Sequence, residues 1–429
     1  MTPLQVPALR PPGQVIEVAR TLQNAGFEAW CVGGAVRDAL LGLAHLDWDL
    51  ATSATPPEVR RLFKRTVPVG IEFGTIGVLD RDGRMHEVTT FRHDVRTDGR
   101  HAEVEFGASL DEDLARRDFT INAIAYDPIA RVLRDPFEGQ ADLQRGVVRA
   151  VGNADARMRE DRLRALRAIR FAARFDFAIE EATWLAIVAS APFLTRLSPE
   201  RVKQELDKTM EQVVRPSDAL ARWRESGAFA SLVPTLADAP DSLLRAVDAL
   251  PVPGLSTRPL RKPLRFAALF SGHDGKAAEQ AMRALRFSNQ DITTVSVLVD
   301  RYARFGASLG DQLASGSAPS GADLRRLAAA VGRLRVAAFL RLCAARWATD
   351  DRRVEPRTVR ALYRQLLRIA FNEAIEVADL AVDGDDLRRA GIAAGPHLGQ
   401  TLQRLLDAVI DDPACNTRET LLSLAAHPA

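Results

Sequence analysis

Two aspartates separated by a single residue give the sequence its clearest chemical signal. Asp47 and Asp49 lie in the segment LDWDL, whose pattern predicts a short strand. Because residues i and i+2 of a strand point to the same face, both carboxylates should point the same way, with Trp48 turned into the core. Magnesium prefers oxygen ligands and is usually held by one or two carboxylates together with substrate phosphates. The aspartate pair therefore predicts a magnesium site for phosphate chemistry.

A glycine pair and an arginine lie just ahead of these aspartates. Gly33 and Gly34 are expected to form a turn from a strand into a helix, and Arg37 follows in that helix. Glycine allows the backbone to approach a ligand closely, and the N-terminus of a helix favours phosphate. Together with the aspartates, these residues predict a site for a metal ion and a triphosphate. A glycine-rich turn beside a solvent-exposed acidic strand end is the alternative interpretation.

The segment that follows predicts a β-hairpin carrying a third carboxylate. Residues 73–91 alternate between apolar and polar side chains around Asp82-Gly83, a strong hairpin signal. Glu87 lies on the second strand, where it is the natural third carboxylate beside the two aspartates. A solvent-facing strand position is the other interpretation of this residue. Residues 92–106 are polar and contain glycine, which predicts a mobile loop.

Three motifs of the first half together resemble one family. GGAVRDALLG at 33–42, followed by DWDLAT at 47–52, resembles the head of class II tRNA nucleotidyltransferases. That family comprises the CCA-adding enzymes and the bacterial poly(A) polymerases. Arg116-Arg117-Asp118 resembles its second motif, which implies that Arg117 reaches the bound nucleotide. DPFEGQADL at 135–143 resembles its third motif, although the residues themselves indicate only a turn and a helix cap, which is the preferred interpretation.

Two further segments extend the resemblance over nearly the whole chain. The polar segment at 92–106 resembles a loop that helps such enzymes to switch from adding C to adding A. The C-terminal segment resembles the tail of bacterial CCA-adding enzymes, and its glycine-rich turn at 391–399 precedes a predicted helix. Backbone amides in such a turn could contact RNA phosphates. Simple packing between two helices is the alternative for this turn.

An arginine-rich segment at 159–175 predicts an amphipathic helix. At about 100° per residue, Asp161 and Arg164 share one face of that helix. Arg167 falls beside Arg164, and Arg170 lies towards the core-facing side. The EDRLR sequence in this segment resembles the base-reading helix of the family. An ordinary surface helix with ion pairs between residues three apart is the alternative.

A facing carboxylate and guanidinium would select bases by hydrogen bonding. Cytosine and adenine each present an amino donor beside a ring-nitrogen acceptor, whereas uracil and guanine present the reverse pattern. A carboxylate only accepts hydrogen bonds and a guanidinium only donates them. The pair Asp161 and Arg164 would therefore favour C and A over U and G. The nucleotide-binding residues predicted from all these segments are Gly33, Gly34, Arg37, Arg117, Asp161, Arg164, Arg167 and Arg170.

Composition and length set the architecture. A chain of 429 residues is long enough for two to four domains. Strand signals end near Val151, so we expect an α+β fold. The resemblance implies an N-terminal nucleotidyltransferase palm, made of a mixed sheet with helices, followed by an all-α neck, body and tail. The predicted divisions are a head at 1–150, a neck with the base-reading helix at 151–215, a body at 216–310 and a tRNA-binding tail at 311–429.

Charge, hydropathy and cysteines exclude several classes of protein. The net charge is only +2, and no apolar run approaches the ~20 residues of a membrane span. The first residues lack the basic-then-apolar layout of a signal peptide. The three widely spaced cysteines fit reduced thiols in the cytoplasm and give no zinc pattern. We therefore expect a cytoplasmic protein without a membrane partner, and the sequence predicts no oligomeric state.

The resemblance implies a specific reaction. It is the template-independent addition of C, C and A to the 3′ end of tRNA from CTP and ATP, with release of pyrophosphate. Mg²⁺ would be held by Asp47 and Asp49, with Glu87 as a further catalytic carboxylate. A poly(A) polymerase, or a partial enzyme that adds only CC or only A, is the alternative within the family. A non-catalytic RNA-binding protein is the alternative of another class, and the intact aspartates argue against it.

Overall fold

The computed structural model describes residues 9–44, 47–97, 102–250, 261–352 and 354–427, with the backbone alone at 93–97 and 102–105. Eleven strands lie in the N-terminal part of this described chain. They are β1 (Ala29–Val32), β2 (Asp49–Thr52), β3 (Thr66–Gly70), β4 (Thr75–Leu79), β5 (Met85–Thr90), β6 (Arg92–Thr97), β7 (Ala102–Phe106), β8 (Ala125–Asp127), β9 (Val132–Arg134), β10 (Val147–Val148) and β11 (Ala178–Ile179).

The first helices are interleaved with these strands, and the later helices follow one another along the chain. The former are α1 (Gly13–Asn24), α2 (Gly34–Leu40), α3 (Pro56–Leu62), α4 (Leu110–Ala115), α5 (Gly139–Arg145), α6 (Ala154–Glu160) and α7 (Leu163–Phe175). The latter are α8 (Glu181–Ser190), α9 (Pro199–Gln212), α10 (Pro216–Glu225), α11 (Ala228–Leu232), α12 (Asp241–Ala246), α13 (Arg261–Phe270), α14 (Gly275–Ala284), α15 (Asn289–Arg301), α16 (Ala307–Ala314), α17 (Gly321–Val331), α18 (Val336–Trp347), α19 (Pro356–Asn372), α20 (Gly384–Arg389), α21 (Pro396–Asp411) and α22 (Arg418–Ala426). The predicted α+β class is confirmed.

Seven strands form one mixed sheet in the order β3-β4-β5-β2-β1-β8-β9. Neighbouring strands are antiparallel except β2 and β5, which are parallel. The hairpin predicted around Asp82-Gly83 is confirmed as β4 and β5, and Gly83 has the positive φ of 81° that such a turn requires. The sheet places the first-half motifs at neighbouring strand ends.

One face of the sheet is buried against helix α4 and the segments around it. Val32 and Ala51 contribute the sheet side of this core, and Leu110 and Leu114 contribute the helix side. Because Val32 lies directly opposite Asp49, the carboxylate of Asp49 shares this face. The core therefore ends at the aspartate, where the strand reaches solvent.

Two predictions about local structure were wrong. Residues 92–106 were expected to form a loop, but β6 and β7 pair as an antiparallel hairpin around the segment 98–101, which lies outside the described residues. The polar side chains of these strands hide the alternation that normally marks a hairpin. The expected end of strand structure near Val151 was also premature, since β11 pairs in parallel with β10. Strands of two residues are too short to show a period.

The chain divides into two compact units by its own contacts. The first is Met1–Thr209 with Arg222–Ala237, and the second is Met210–Ala221 with Asp238–Ala429. Within the second unit, a small core of Val382, Leu387, Leu405, Val409, Leu421 and Ala425 joins α20, α21 and α22. The finer division into neck, body and tail stays a prediction, and its boundary at residue 310 falls inside α16.

Candidate active site

The aspartate pair lines an open cavity at the start of β2. Asp47 and Asp49 are exposed, and Trp48 between them is buried with 5% of its surface accessible. This alternation places both carboxylates on one face, as predicted, although β2 itself begins only at Asp49. The cavity has a volume of about 800 Å³. Two carboxylates facing an open cavity of this size leave room for a metal ion together with a bulky phosphate ligand.

Glu87 lies on the same side of the sheet as Asp49. The parallel pairing of Leu50 with Val88 sets the preceding residues, Asp49 and Glu87, next to each other on β2 and β5. Glu87 is exposed and lines the same cavity as the aspartates. Among the described residues, however, no three histidine, cysteine, aspartate or glutamate side chains converge into a ready metal cluster. Glu87 as a catalytic residue stays a prediction.

The cavity also has an acidic residue that the sequence did not single out. Asp80 accepts a hydrogen bond from Nε2 of His86 at 3.0 Å, and both residues line the cavity with the aspartates. This contact, together with backbone hydrogen bonds, lowers the pKa of Asp80 below its ordinary value. Asp80 therefore has a structural partner in the wall of the cavity.

The glycine turn lies beside the aspartates. Val32 is paired with Asp49, so the turn that begins at Gly33 lies next to the start of β2. Gly33 precedes α2 with a φ of 74°, a conformation that favours glycine, and Gly34 is the first residue of the helix. A Cβ on Gly33 would lie 3.2 Å from Nη1 of Arg117. The structure thus brings together Asp49, the two glycines and Arg117.

Arg117 is fixed by a buried carboxylate that sequence reasoning missed. Asp113 of α4 pairs with Arg116 at 2.6 Å and with Arg117 at 3.0 Å, and only 1% of its side chain is exposed. Burial opposes ionisation, but the two guanidinium groups outweigh it and lower the pKa of Asp113. Arg116 and Arg117 follow Asp113 by three and four residues, and this spacing could have predicted the ion pairs from the sequence.

Arg37 is buried rather than open to the cavity. Its guanidinium donates to Oδ1 of Asp38 at 2.8 Å and to Oδ1 of Asn122 at 2.6 Å. The same group also contacts the rings of Phe171 and Phe175, 4.9 and 4.8 Å from their centroids. Burial lowers the pKa of Arg37, while Asp38 opposes this shift. These contacts join α2 to α7, and a contact between Arg37 and phosphate stays a prediction.

The predicted base-reading helix is interrupted, which corrects the expected placement of two residues. Helix α6 ends at Glu160 and α7 begins at Leu163, with Asp161 in an extended conformation between them. Oδ1 of Asp161 accepts a hydrogen bond from the backbone N–H of Leu163 at 3.0 Å, which explains the new helix start. Asp161 and Arg164 therefore do not share the face of one continuous helix.

Asp161 and Arg164 are held by different partners. Arg201 donates to Oδ2 of Asp161 at 2.7 Å. Arg164 donates to Oε2 of Glu160 at 2.6 Å and to the backbone carbonyl of Arg116 at 3.0 Å. The second contact ties Arg164 to the motif that contains Arg117. Base reading by the pair stays a prediction. Glu160 and Arg201, which hold Arg164 and Asp161 in place, were not predicted from the sequence.

The other two arginines of α7 predicted to bind nucleotide are paired with largely buried carboxylates. Arg167 donates from Nε to Oδ2 of Asp118 at 2.9 Å, and Arg170 donates from Nε to Oε2 of Glu205 at 2.6 Å. Burial lowers the pKa of Arg170, against the effect of Glu205. Arg167 is close to the second motif, whereas Arg170 lies in the core, as the periodicity suggested. The nucleotide-binding role of both residues stays a prediction.

Asp274, which follows His273 at the start of α14, has a structural role. Oδ1 of Asp274 accepts a hydrogen bond from the backbone N–H of Ala277 at 2.7 Å and so caps α14. Asp135 has a similar capping role, since its carboxylate accepts from the N–H groups of Gly139 and Gln140. Neither residue is part of the cavity described above.

Three family models match this chain. Residues 29–149 match the model described as the poly A polymerase head domain. Residues 176–239 match that of an RNA and SrmB binding site of polymerase A, and residues 325–425 match that of tRNA nucleotidyltransferase domain 2. The mixed sheet, the aspartate pair and the first match define a nucleotidyltransferase head of the polymerase A type.

Full-length relatives give the particular family. The chain is 38% identical to the CCA-adding enzyme of Geobacillus kaustophilus over 96% of both chains. It is 35% identical to that of Latilactobacillus sakei, over 96% of this chain and 97% of the relative. The crystal structure of the Bacillus stearothermophilus CCA-adding enzyme in complex with CTP is similar, with a TM-score of 0.74, 30% identity and 97% of both chains covered. The chain belongs to the class II tRNA nucleotidyltransferases, the family of the CCA-adding enzymes.

The buried carboxylate of Asp118 generates a test of how the site is held together. Burial opposes its ionisation, but Arg167 and the amide of Asn122 outweigh this and lower the pKa of Asp118. A carboxylate with a lowered pKa in the folded state stabilises the protein above its unfolded pKa, and this stabilisation is lost as the pH falls through the folded pKa. We expect Asp118→Asn to cost about 2 kcal/mol at neutral pH.

The difference in unfolding free energy between wild type and Asp118→Asn should shrink as the pH falls below about 4. Urea unfolding at several pH values measures this difference. The exposed Asp238→Asn variant serves as the control and should stay within about 0.5 kcal/mol of wild type at neutral pH. A difference that stays constant down to the acid limit would show that the charge of Asp118 contributes nothing.

Proposed function

We propose that this chain adds C, C and A to the 3′ end of tRNA from CTP and ATP. The observation that carries this proposal is the proximity of Asp49, the turn at Gly33 and Gly34, and Arg117. Carboxylates for a cation and a glycine turn for phosphate are what nucleotidyl transfer requires. The full-length relatives named CCA-adding enzymes support the choice of this reaction among nucleotidyl transfers.

In this reaction the 3′-hydroxyl of the RNA attacks the α-phosphate of the nucleotide, and pyrophosphate leaves. Asp47 and Asp49 would hold Mg²⁺, since hard oxygen donors facing an open cavity fit that ion. When bound, the ion activates the attacking hydroxyl and neutralises charge on the attacking and leaving oxygens. Glu87 adds negative charge on the same sheet face. The two aspartates would hold the ion at the cavity wall.

The triphosphate would lie over the glycine turn. Without a side chain, Gly33 leaves space into which the Arg117 guanidinium already points, 3.2 Å from the position of a Cβ. Asp113 holds that guanidinium in place through a buried ion pair. A fixed donor costs little entropy when it meets a developing negative charge. Gly33, Gly34 and Arg117 would therefore bind phosphate, and Arg37 would support the turn through Asp38.

The base would be read near the break between α6 and α7. Asp161 supplies an acceptor and Arg164 supplies donors, and this arrangement matches the edge of C and A, whereas U and G present the reverse pattern. Arg201 and Glu160 fix these two side chains by ion pairs. Arg167, paired with Asp118, lies along the same helix and would complete this part of the pocket.

The full CCA reaction is favoured over its alternatives by particular features. The exposed aspartates argue against a non-catalytic RNA-binding protein. The relatives that extend over the whole chain are CCA-adding enzymes rather than poly(A) polymerases. The hairpin of β6 and β7 occupies the position of the segment expected to switch addition from C to A, which argues against a CC-only enzyme.

We also propose the cytoplasm as the location of this activity. Its substrates, tRNA and nucleoside triphosphates, are present there. All three cysteines, Cys31, Cys343 and Cys415, are free thiols, as a reducing compartment allows. In the described residues, none of the helices is both long and apolar enough to cross a bilayer.

The reaction is tested by the product formed on tRNA transcripts that end before, within or after CC. We expect wild type to complete each 3′ end to CCA and then stop when CTP, ATP and Mg²⁺ are present. Asp47→Asn and Asp49→Asn preserve shape but remove charge, and each should lower the rate by about a thousandfold or more because metal binding is lost.

Gel analysis of labelled products measures the rate of addition. Titration of each variant with Mn²⁺ measures the loss of metal binding. Asp80→Asn is the matched control, because Asp80 lines the same cavity but is paired with His86. It should retain activity within about tenfold of wild type. Long adenosine tails on the products would assign the chain to the poly(A) polymerases. Normal rates in either aspartate variant would refute the metal site.

Base selection is tested by comparing two variants that break the same ion pair. Asp161→Asn replaces an acceptor by an amide that both accepts and donates, so UTP should gain on CTP by about tenfold in kcat/KM. Arg201→Met removes the partner of Asp161 and leaves the carboxylate in place. Exchanging Asp161 and Arg164 would place an arginine beside Arg201 and an aspartate beside Glu160. The isosteric variant Asp161→Asn avoids this repulsion.

Competition between CTP and UTP for one primer gives the ratio directly. Arg201→Met should keep the preference for C even where its overall rate falls. Equal relaxation in both variants would mean that the ion pair, rather than the carboxylate, determines selection. An unchanged ratio in Asp161→Asn would show that Asp161 does not contact the base.

A further inference from the structure

An exposed apolar surface lies beside the catalytic carboxylates. Val67, Val69 and Met85 are 38, 40 and 46% exposed, and we call these three residues the apolar shelf. Val67 and Val69 lie on β3, an edge strand of the sheet, and Met85 begins β5. Met85 also lines the cavity that contains Asp47 and Asp49. The apolar shelf is therefore continuous with the proposed active site.

The strand register places the shelf and the carboxylates on one face of the sheet. Val67 lies opposite Gly77, and Gly77 lies opposite Glu87. Directly opposite residues of antiparallel strands share a face, and Glu87 is itself beside Asp49. At strand spacings of about 4.8 Å, Val67 lies about 10 Å from Glu87 across the sheet. This distance is within the reach of a single nucleotide.

Gly77 is what makes the shelf continuous. A Cβ on this glycine would lie 2.6 Å from Sδ of Met85 and 2.9 Å from Cγ2 of Val69. Because Gly77 has no side chain, Met85 and Val69 can approach each other across β4. The result is one apolar surface over three strands instead of two separate side chains.

The edge strand itself is unsuited to pairing with another strand. Pro68 lacks the N–H that a further strand would need, and the register between β3 and β4 shifts between Pro68 and Gly70. Such features protect an edge against strand addition. The apolar shelf is therefore suited to contact with a planar apolar group rather than to pairing with another β-strand.

We propose that the apolar shelf is the stacking surface for the terminal base of the RNA primer, an inference that rests on the proposed function. The 3′-hydroxyl must reach the carboxylates, so the base of the same nucleotide must lie close to them. During three successive additions that terminal base changes, and a site built from hydrogen bonds would reject some of these bases. Every base has an apolar face, so stacking on an apolar surface tolerates all of them.

The test combines shelf variants with a modified primer. Met85→Gln and Val69→Ser make the surface polar at exposed positions, so the fold should persist, as circular dichroism and thermal unfolding will verify. With a normal tRNA primer, each variant should raise the apparent KM for RNA on the order of tenfold, with the KM for CTP unchanged. Val132→Gln, on an exposed residue of β9 at the opposite edge of the same sheet, is the matched control and should leave both values unchanged.

A primer with an abasic terminal nucleotide identifies the group that the shelf contacts. Removal of the terminal base should cost wild type on the order of tenfold in RNA affinity, whereas the shelf variants, which already lack the stacking contact, should lose little more. The proposal would be overturned if removal of the terminal base lowered the RNA affinity of the shelf variants as much as it lowers that of wild type. A change of oligomeric state in the variants would also overturn it, because this would assign the shelf to a second copy of the chain. Failure of wild type to extend any primer would instead refute the proposed function.

Discussion

The antiparallel pairing of β1 with β2 is the constraint on which the site depends. Val32 lies opposite Asp49, so the glycine turn that follows Val32 and the aspartates that begin β2 must lie side by side. A shift of register by one residue would turn Asp49 into the core and Trp48 into solvent. The buried Trp48 and Leu50 on one side, and the core around Val32 on the other, oppose such a shift.

A second group of contacts connects the glycine turn to the helix that follows the head. Arg37 of α2 contacts the rings of both Phe171 and Phe175 of α7, and Asp38 accepts from both Arg37 and Arg174. A buried guanidinium is costly unless it is paired, and here a carboxylate and two aromatic rings compensate for lost water. The elements proposed to bind phosphate and base are consequently held by one packed cluster.

The sequence predicted best what depends on local pattern. The alternation through Asp47, Trp48 and Asp49, and the hairpin at Asp82-Gly83, follow from the period of a strand and the demands of a tight turn. The hairpin of β6 and β7 was missed because its strands are polar. The break at Asp161 was missed because periodicity alone does not reveal a side chain that caps the next helix.

Contacts between residues distant in sequence could not be predicted from local sequence patterns. Arg201 and Glu205 lie 40 and 35 residues from the side chains that they bind, and no local spacing identifies them. The proximity of Gly33 to Arg117 likewise results from the sheet and from α4, not from any motif. Types of residue therefore indicated the chemistry, whereas the fold determined which of them act together.

The central claim is that Asp47 and Asp49 hold the metal ion and that the turn at Gly33 and Gly34 holds the triphosphate. Crystals grown with Mn²⁺ and a non-hydrolysable analogue of CTP would test this claim most directly, because anomalous diffraction locates the ion independently of the protein. We expect manganese bound to oxygens of Asp47 and Asp49, with the triphosphate against the turn and Arg117. Manganese bound away from both aspartates, or a triphosphate distant from the glycine turn, would contradict it.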